Sequence, residues 1–189
     1  MSEPRDLRGT TAVVTGASSG IGRAIAVRLA GEGMHVVVGG RSEEALAETV
    51  AAARAAGGEA TAVVGDVREP AHVEAMVATA VEAGELTVMV NNAGVAWLGA
   101  VLDGDADRWR AMLETNVLAL LVGSQAAIAA MRAAGTAGRI VNISSGAASR
   151  RDSGVYGATK HAVNVITSTL RLELQGEPIQ VTSIMPGLV

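Results

Sequence analysis

Thr15-Gly16-Ala17-Ser18-Ser19-Gly20-Ile21-Gly22 joins a short β-type run, Thr11–Thr15, to an alanine-rich segment, Gly20–Gly31. Threonine and valine in a short apolar run predict a strand, and Ala, Leu and Arg favour helix. The octet therefore reads as a strand-to-helix turn carrying three glycines. Gly16 permits a tight turn, Gly20 lets the backbone approach a pyrophosphate, and Gly22 lets helix and strand pack closely. The helix start offers unpaired N–H groups and a positive dipole end to phosphates, and Ser18 and Ser19 add hydroxyl donors. A plain turn with a serine cap is the simpler reading of the octet taken alone. Its spacing is G-x-x-x-G-x-G, not the commoner G-x-G-x-x-G.

The chain beyond the octet supports the nucleotide reading. Strands are predicted at Thr11–Thr15, His35–Gly39, Ala60–Val64, Thr87–Asn91, Arg139–Ile143 and Gln180–Met185, each a short run of the kind buried on both faces. Helices are predicted near Gly20–Gly31, Ser42–Ala56, Glu69–Ala83, Ala106–Ala133 and Tyr156–Leu174. Strict alternation predicts the α/β class: a three-layer, doubly wound parallel sheet of Rossmann type. No linker or repeat divides it, so residues 1–189 read as a single domain. In such folds ligands sit beyond the carboxyl ends of the strands, which makes the residues after each strand the informative ones.

Composition narrows the function classes. The net charge of −4 gives no basic footprint for nucleic acid or a membrane surface. With no cysteine, disulfides, thiol catalysis and thiolate metal sites are excluded, and three scattered histidines have no metal-ligand spacing. The polar N-terminus lacks the apolar core of a signal peptide. The apolar stretch Val117–Met131 falls short of the roughly 20 residues that cross a bilayer. A cytoplasmic protein without a metal is the expectation.

The second strand ends in Gly39-Gly40-Arg41-Ser42. An acid there would bind a ribose 2′-hydroxyl, whereas an arginine accommodates a 2′-phosphate. Gly40 stands where the acid is expected, and Arg41 follows with a guanidinium suited to bidentate phosphate contact. This favours NADP(H) over NAD(H), with Ser42 as a second donor or as a cap for the next helix.

The only tyrosine, Tyr156, and the only lysine, Lys160, stand four apart, hence on one helical face. A phenol with a pKa of ~10 keeps its proton at neutral pH, and a nearby ammonium favours the phenolate. That pairing suits a general acid–base group acting on an alcohol or carbonyl oxygen.

In combination these residues resemble the short-chain dehydrogenase/reductase family over essentially the whole chain, from Thr10 to Val189. The matching motifs are the Thr15–Gly22 turn in the family's own glycine spacing, Asp66-Val67, Asn91-Asn92-Ala93-Gly94, Asn116, Ile143-Ser144-Ser145, Tyr156-x-x-x-Lys160 and Pro186-Gly187. The resemblance implies a hydride transfer between nicotinamide and a small alcohol or ketone. It implies that Asp66, with Val67, holds the adenine, although Asp66 reads equally well as a helix cap. It places Asn92, Ala93 and Gly94 around the nicotinamide-side ribose, which Lys160 also bonds. Pro186, Gly187 and the backbone of Val189 fall at the carboxamide. The implied catalytic set is Asn116, Ser145, Tyr156 and Lys160, with Ser144 the alternative serine and Asn116 holding a water that links Lys160 to solvent. A homodimer or tetramer through the two long helices is also implied.

Two departures from the family pattern stand out. The Gly146–Val155 loop is shortened and charged at Arg150, Arg151 and Asp152. Family members also continue past Pro-Gly into a lid, a helix and a further strand, which a chain ending at Val189 is expected to lack. That shortness supports a competing reading: an NADP-binding regulator or scaffold with impaired catalysis.

Overall fold

Residues whose branched side chains crowd a helix but lie flat on a pleated surface form the strands. The computed structural model describes residues 6–187. Its strands are β1 (Thr10–Val14), β2 (His35–Gly40), β3 (Glu59–Val64), β4 (Glu85–Asn91), β5 (Gly138–Ile143) and β6 (Ile179–Ile184). Its helices are α1 (Gly20–Gly31), α2 (Glu43–Ala55), α3 (Pro70–Ala83), α4 (Ala106–Leu113), α5 (Ala119–Ala134) and α6 (Gly154–Glu173). All paired strands run parallel in the order β3-β2-β1-β4-β5-β6. The strand order reverses direction between β1 and β4, and the crevice beyond their carboxyl ends is where the fold receives a ligand.

Alternate strand residues divide the core. Val13, Val37, Met89 and Ile140 pack with Met76 of α3 and Ile128 of α5. Ala12, Val14, Val36 and Val38 pack with Ala26 of α1 and Leu46 of α2 on the other face. The three-layer sheet is as the sequence predicts, with element ends displaced by a residue or two.

Two expectations change. Burial on both faces holds for β1, but β6 alternates between buried and exposed positions over most of its length and β3 buries only Ala60, because each lies at a sheet edge. The helix predicted over Ala106–Ala133 is interrupted, since Glu114–Leu118 form one π-helical turn between α4 and α5. Asn116 lies in that turn, buried, with its side chain bonded outside its own helix, the kind of pull that favours a local widening. The helical run Ala106–Ala134 is also longer than the apolar stretch alone, and by length and composition it could cross a membrane. In the fold α5 buries Leu120, Gly123, Ala127, Ile128 and Met131, the pattern of a core helix.

Candidate active site

The glycine turn is built to receive an anion. Gly16 has φ of 65°, and a Cβ on Gly22 would overlap the Gly16 carbonyl oxygen, so α1 meets β1 more closely than any side chain allows. Among the described residues no side chain caps α1, and its first turn holds no acid. By contrast, α2 is capped by Ser42 and starts with Glu43 and Glu44. The N–H groups that open α1 are thus left for an outside acceptor. Gly20 has φ of 54° but lines neither lobe of the cleft; its place is the left-handed entry to the helix.

Neighbouring strands fix the turn. Asn92 Nδ2 donates to the carbonyl oxygens of Thr15 and Gly16 at 2.9 and 3.1 Å. Thr15 Oγ1 accepts the N–H groups of Asn92 and Ala93 at 3.0 and 3.1 Å. Arg23, which sequence reading missed, holds the turn from the other side: its Nη2 donates to Ser18 O at 2.6 Å and to Glu48 Oε2 at 2.8 Å. A cation in the first turn of a helix works against the dipole, and that was the available signal.

At the β2–β3 end, a Cβ on Gly40 would overlap Ser18 Oγ. Arg41 is exposed and lines the cleft with Ser18, Ser19, Asp66, Val67 and Arg68. Ser42 is not among the lining residues; its Oγ accepts from Ala45 N at 3.2 Å and caps α2, so the structure favours the capping reading over cofactor contact. Asp66 does not cap α3, which starts at Pro70 with Glu69 before it. The Asp66 carboxylate instead binds Arg68, whose guanidinium holds its pKa below the usual carboxylate range against the opposing effect of burial.

At the β4–β5 end, α6 presents Tyr156 and Lys160. Lys160 is buried, its Nζ donates to Ile143 O at 2.8 Å, and it lies 6.0 Å from the centre of the Tyr156 ring. Burial lowers the amine from 10.5 to about 8. Ser144 is buried and spends its hydroxyl on Lys160 O at 3.0 Å. Ser145 is half-buried and its Oγ accepts from Ala147 N at 3.1 Å, which leaves its O–H directed to no described group. Asn116 Oδ1 accepts from Val95 N at 2.8 Å, and its Nδ2 donates to Val95 O at 2.9 Å and Thr159 Oγ1 at 3.0 Å. It thereby pins the chain after Gly94 beside Lys160. Pro186 and Gly187 close this end of the cleft; Val189 lies outside the described residues.

The cleft has two lobes, about 390 Å³ around Arg41 and Asp66 and about 640 Å³ around Tyr156 and Lys160. Ile21, Asn92, Gly94 and Val95 line both, so the lobes are continuous across the start of α1. An uncapped helix start between the Arg41 lobe and the Tyr156–Lys160 lobe has the shape for a dinucleotide, with a pyrophosphate at α1.

This arrangement defines a nicotinamide-dinucleotide-dependent oxidoreductase core. The family model for short chain dehydrogenase matches residues 10–189. An uncharacterized oxidoreductase of Staphylococcus saprophyticus is 37% identical over 188 residues, covering 97% of this chain and 80% of that protein. A short chain dehydrogenase/reductase from Burkholderia phymatum, solved in complex with NAD, superposes with a TM-score of 0.93 at 36% identity, over 98% of this chain and 68% of that one. Actinorhodin polyketide ketoreductase, solved with NADPH, gives a TM-score of 0.90 at 40% identity, over 96% and 71%. The chain belongs to the short-chain dehydrogenase/reductase family and is an NAD(P)-dependent enzyme of that class.

Proposed function

We propose that residues 1–189 act as one cofactor-binding unit that prefers NADP(H) and interconverts a small alcohol and its ketone or aldehyde. The observation that carries this reading is the continuity of one cleft from the Arg41 guanidinium, which has no ion-pair partner among the described residues, to the Tyr156 phenol, with Lys160 buried beneath it. Arg41 meets the 2′-phosphate at the strand end where an acid would repel it. Asp66 and Val67 hold the base, Ser18, Ser19 and the start of α1 hold the phosphates, and Asn92, Ala93, Gly94, Pro186, Gly187 and Val189 hold the nicotinamide side. The bound cofactor supplies or takes up the hydride.

The chain's own residues handle the oxygen. Tyr156 gives its phenolic proton to the oxygen as it becomes a hydroxyl and takes it back in the reverse direction. The Ser145 O–H donates to the same oxygen and stabilises its developing charge. Lys160, beneath the ring, stabilises the charge left on the phenol oxygen, and Asn116 holds the turn beside it, where a water at the π turn would carry protons to solvent. The exposed Leu113, Leu118 and Leu121 of the long helical run, with Val165 and Leu172 of α6, support assembly as a homodimer or tetramer through these helices in the cytoplasm.

Calorimetric titration with NADPH and with NADH tests the cofactor half, and weaker binding of NADPH than of NADH overturns the Arg41 assignment. Tyr156→Phe tests the chemistry: reduction of a test ketone falls by about 100-fold or more while the NADPH dissociation constant stays within about threefold. Retained turnover removes Tyr156 from its role.

A further inference from the structure

Asp66 and Arg68 form a unit whose geometry goes beyond holding a base. Asp66 Oδ1 accepts the backbone N–H of Arg68 at 3.0 Å, and Oδ2 accepts Arg68 Nε at 3.0 Å and Nη2 at 2.7 Å. A carboxylate offers about four acceptor positions on its two oxygens. The chain fills both on Oδ2 and one on Oδ1, which leaves one on Oδ1. The Asp66 side chain is 24% exposed, and the pair lines the lobe with Arg41, Val67 and Thr115. An ion pair with Arg68 42% exposed adds little to stability, so its consequence lies in the direction it imposes on the carboxylate.

We propose that Arg68 is a positioning residue for base selection: by occupying three acceptor positions of Asp66 it aims the remaining one into the lobe, where it takes a single N–H from a 6-aminopurine and rejects a 6-oxopurine. The inference rests on the reading that this lobe holds the cofactor's base. A 6-oxo group would set lone pair against lone pair at Oδ1, whereas a 6-amino group donates to it. Without the Arg68 guanidinium, Asp66 keeps only the backbone N–H bond at Oδ1, and the freed Oδ2 accepts the ring N–H of a 6-oxopurine as readily as the 6-amino group.

The charges around the pair set how the selection depends on pH. Arg68 is the largest influence keeping Asp66 ionised, and Arg41 adds to it from the end of β2. His72 of α3 also faces Asp66, and burial holds its own pKa down. Glu114 of the π turn and Glu69 face Arg68. Removal of Arg68 therefore lets Asp66 take a proton at higher pH, and a protonated Asp66 donates to a 6-oxo group instead of rejecting it.

The test is calorimetric titration of the chain with NADP+, which tolerates acid, and with its oxidised hypoxanthine counterpart, from about pH 3.5 to 7, for the wild type, Arg68→Ala and Arg68→Lys. The wild type prefers the adenine form about 10- to 100-fold, the scale of one hydrogen bond to a charged group. In Arg68→Ala the preference falls to within about threefold, and the pH at which it fades moves upward; Arg68→Lys recovers part of both and shows that the fold is intact. An unchanged preference and an unchanged pH midpoint in Arg68→Ala overturn the inference, as does a wild type that binds both forms equally. A wild type that binds neither dinucleotide overturns the cofactor reading itself, and the inference with it.

Discussion

The Nζ of Lys160 donates to the carbonyl oxygen of Ile143 at 2.8 Å and sits 6.0 Å from the centre of the Tyr156 ring, so one buried amine is bonded to the end of β5 and placed beside the Tyr156 ring. Burial lowers this amine from 10.5 to about 8. Between those two values the unfolded chain binds a proton that the folded chain has released. Stability therefore rises with pH across this window, is greatest above the unfolded value, and levels off at its lowest below the folded one. Lys160→Met removes that dependence, worth roughly 3 kcal/mol at most. Urea unfolding of both proteins at about pH 7.5 and about pH 10 measures it. A wild-type protein no more stabilised by the rise in pH than the variant would show that Lys160 is not buried as an amine.

Asn116 makes three bonds that reach Val95 and Thr159, and none of them lies within its own helix. Asn116→Ala leaves the half-buried Val95 N–H and C=O without this partner and the buried Thr159 hydroxyl with only its bond to Tyr156 O. The expected loss is about 2–4 kcal/mol of unfolding free energy, measured by urea titration. The turn at Gly94 is then unpinned beside Lys160, so kcat and NADPH affinity fall together. A variant as stable as the wild type would mean that the π turn does not depend on this residue.

Arg41 has no ion-pair partner among the described residues, while Arg68 beside it is engaged by Asp66. A free guanidinium at the strand end has a phosphate to gain and no carboxylate to release. Arg41→Ala lowers NADPH affinity by about 10- to 100-fold, the scale of hydrogen bonds to a charged group. NADH affinity changes by less than about threefold, since a 2′-hydroxyl has no use for the charge. Equal losses for both cofactors would assign Arg41 to the turn's structure rather than to the phosphate.

These residues also show what a sequence makes legible. The strands read from valine-rich runs because burial in a parallel sheet selects such residues nearly everywhere along β1 and β2. Tyr156 and Lys160 read as a pair because helical geometry alone puts i and i+4 on one face. The π turn did not read, since helix-favouring residues flank Glu114–Leu118 on both sides and within it Asn116 is the marker, a buried polar side chain with business elsewhere. The engagement of Asp66 by Arg68 and of the glycine turn by Arg23 depends on where a long side chain points, which spacing does not fix. Ser42 was open to two roles because capping and phosphate contact both ask for a hydroxyl after a strand.

Gly40 and Ser18 make the proposed preference for a 2′-phosphate one that a single change would not reverse. A Cβ at Gly40 would overlap Ser18 Oγ, so an acid placed there to bind a 2′-hydroxyl has no room while the serine stays. Gly40→Asp alone displaces the turn, costs about 1–3 kcal/mol as an overpacked site, and weakens both cofactors. Ser18→Ala alone removes one phosphate donor and lowers affinity for both forms modestly, by about fivefold. Together the two changes relieve the overlap, and the double variant binds NADH more tightly than Gly40→Asp does while its NADPH affinity stays low, because the carboxylate now faces the phosphate. The double-mutant cycle on NADH affinity and on thermal stability measures this coupling, expected at about 1 kcal/mol or more. Additive effects would mean that the serine hydroxyl swings aside without cost, and that the absence of an acid at this strand end has another cause.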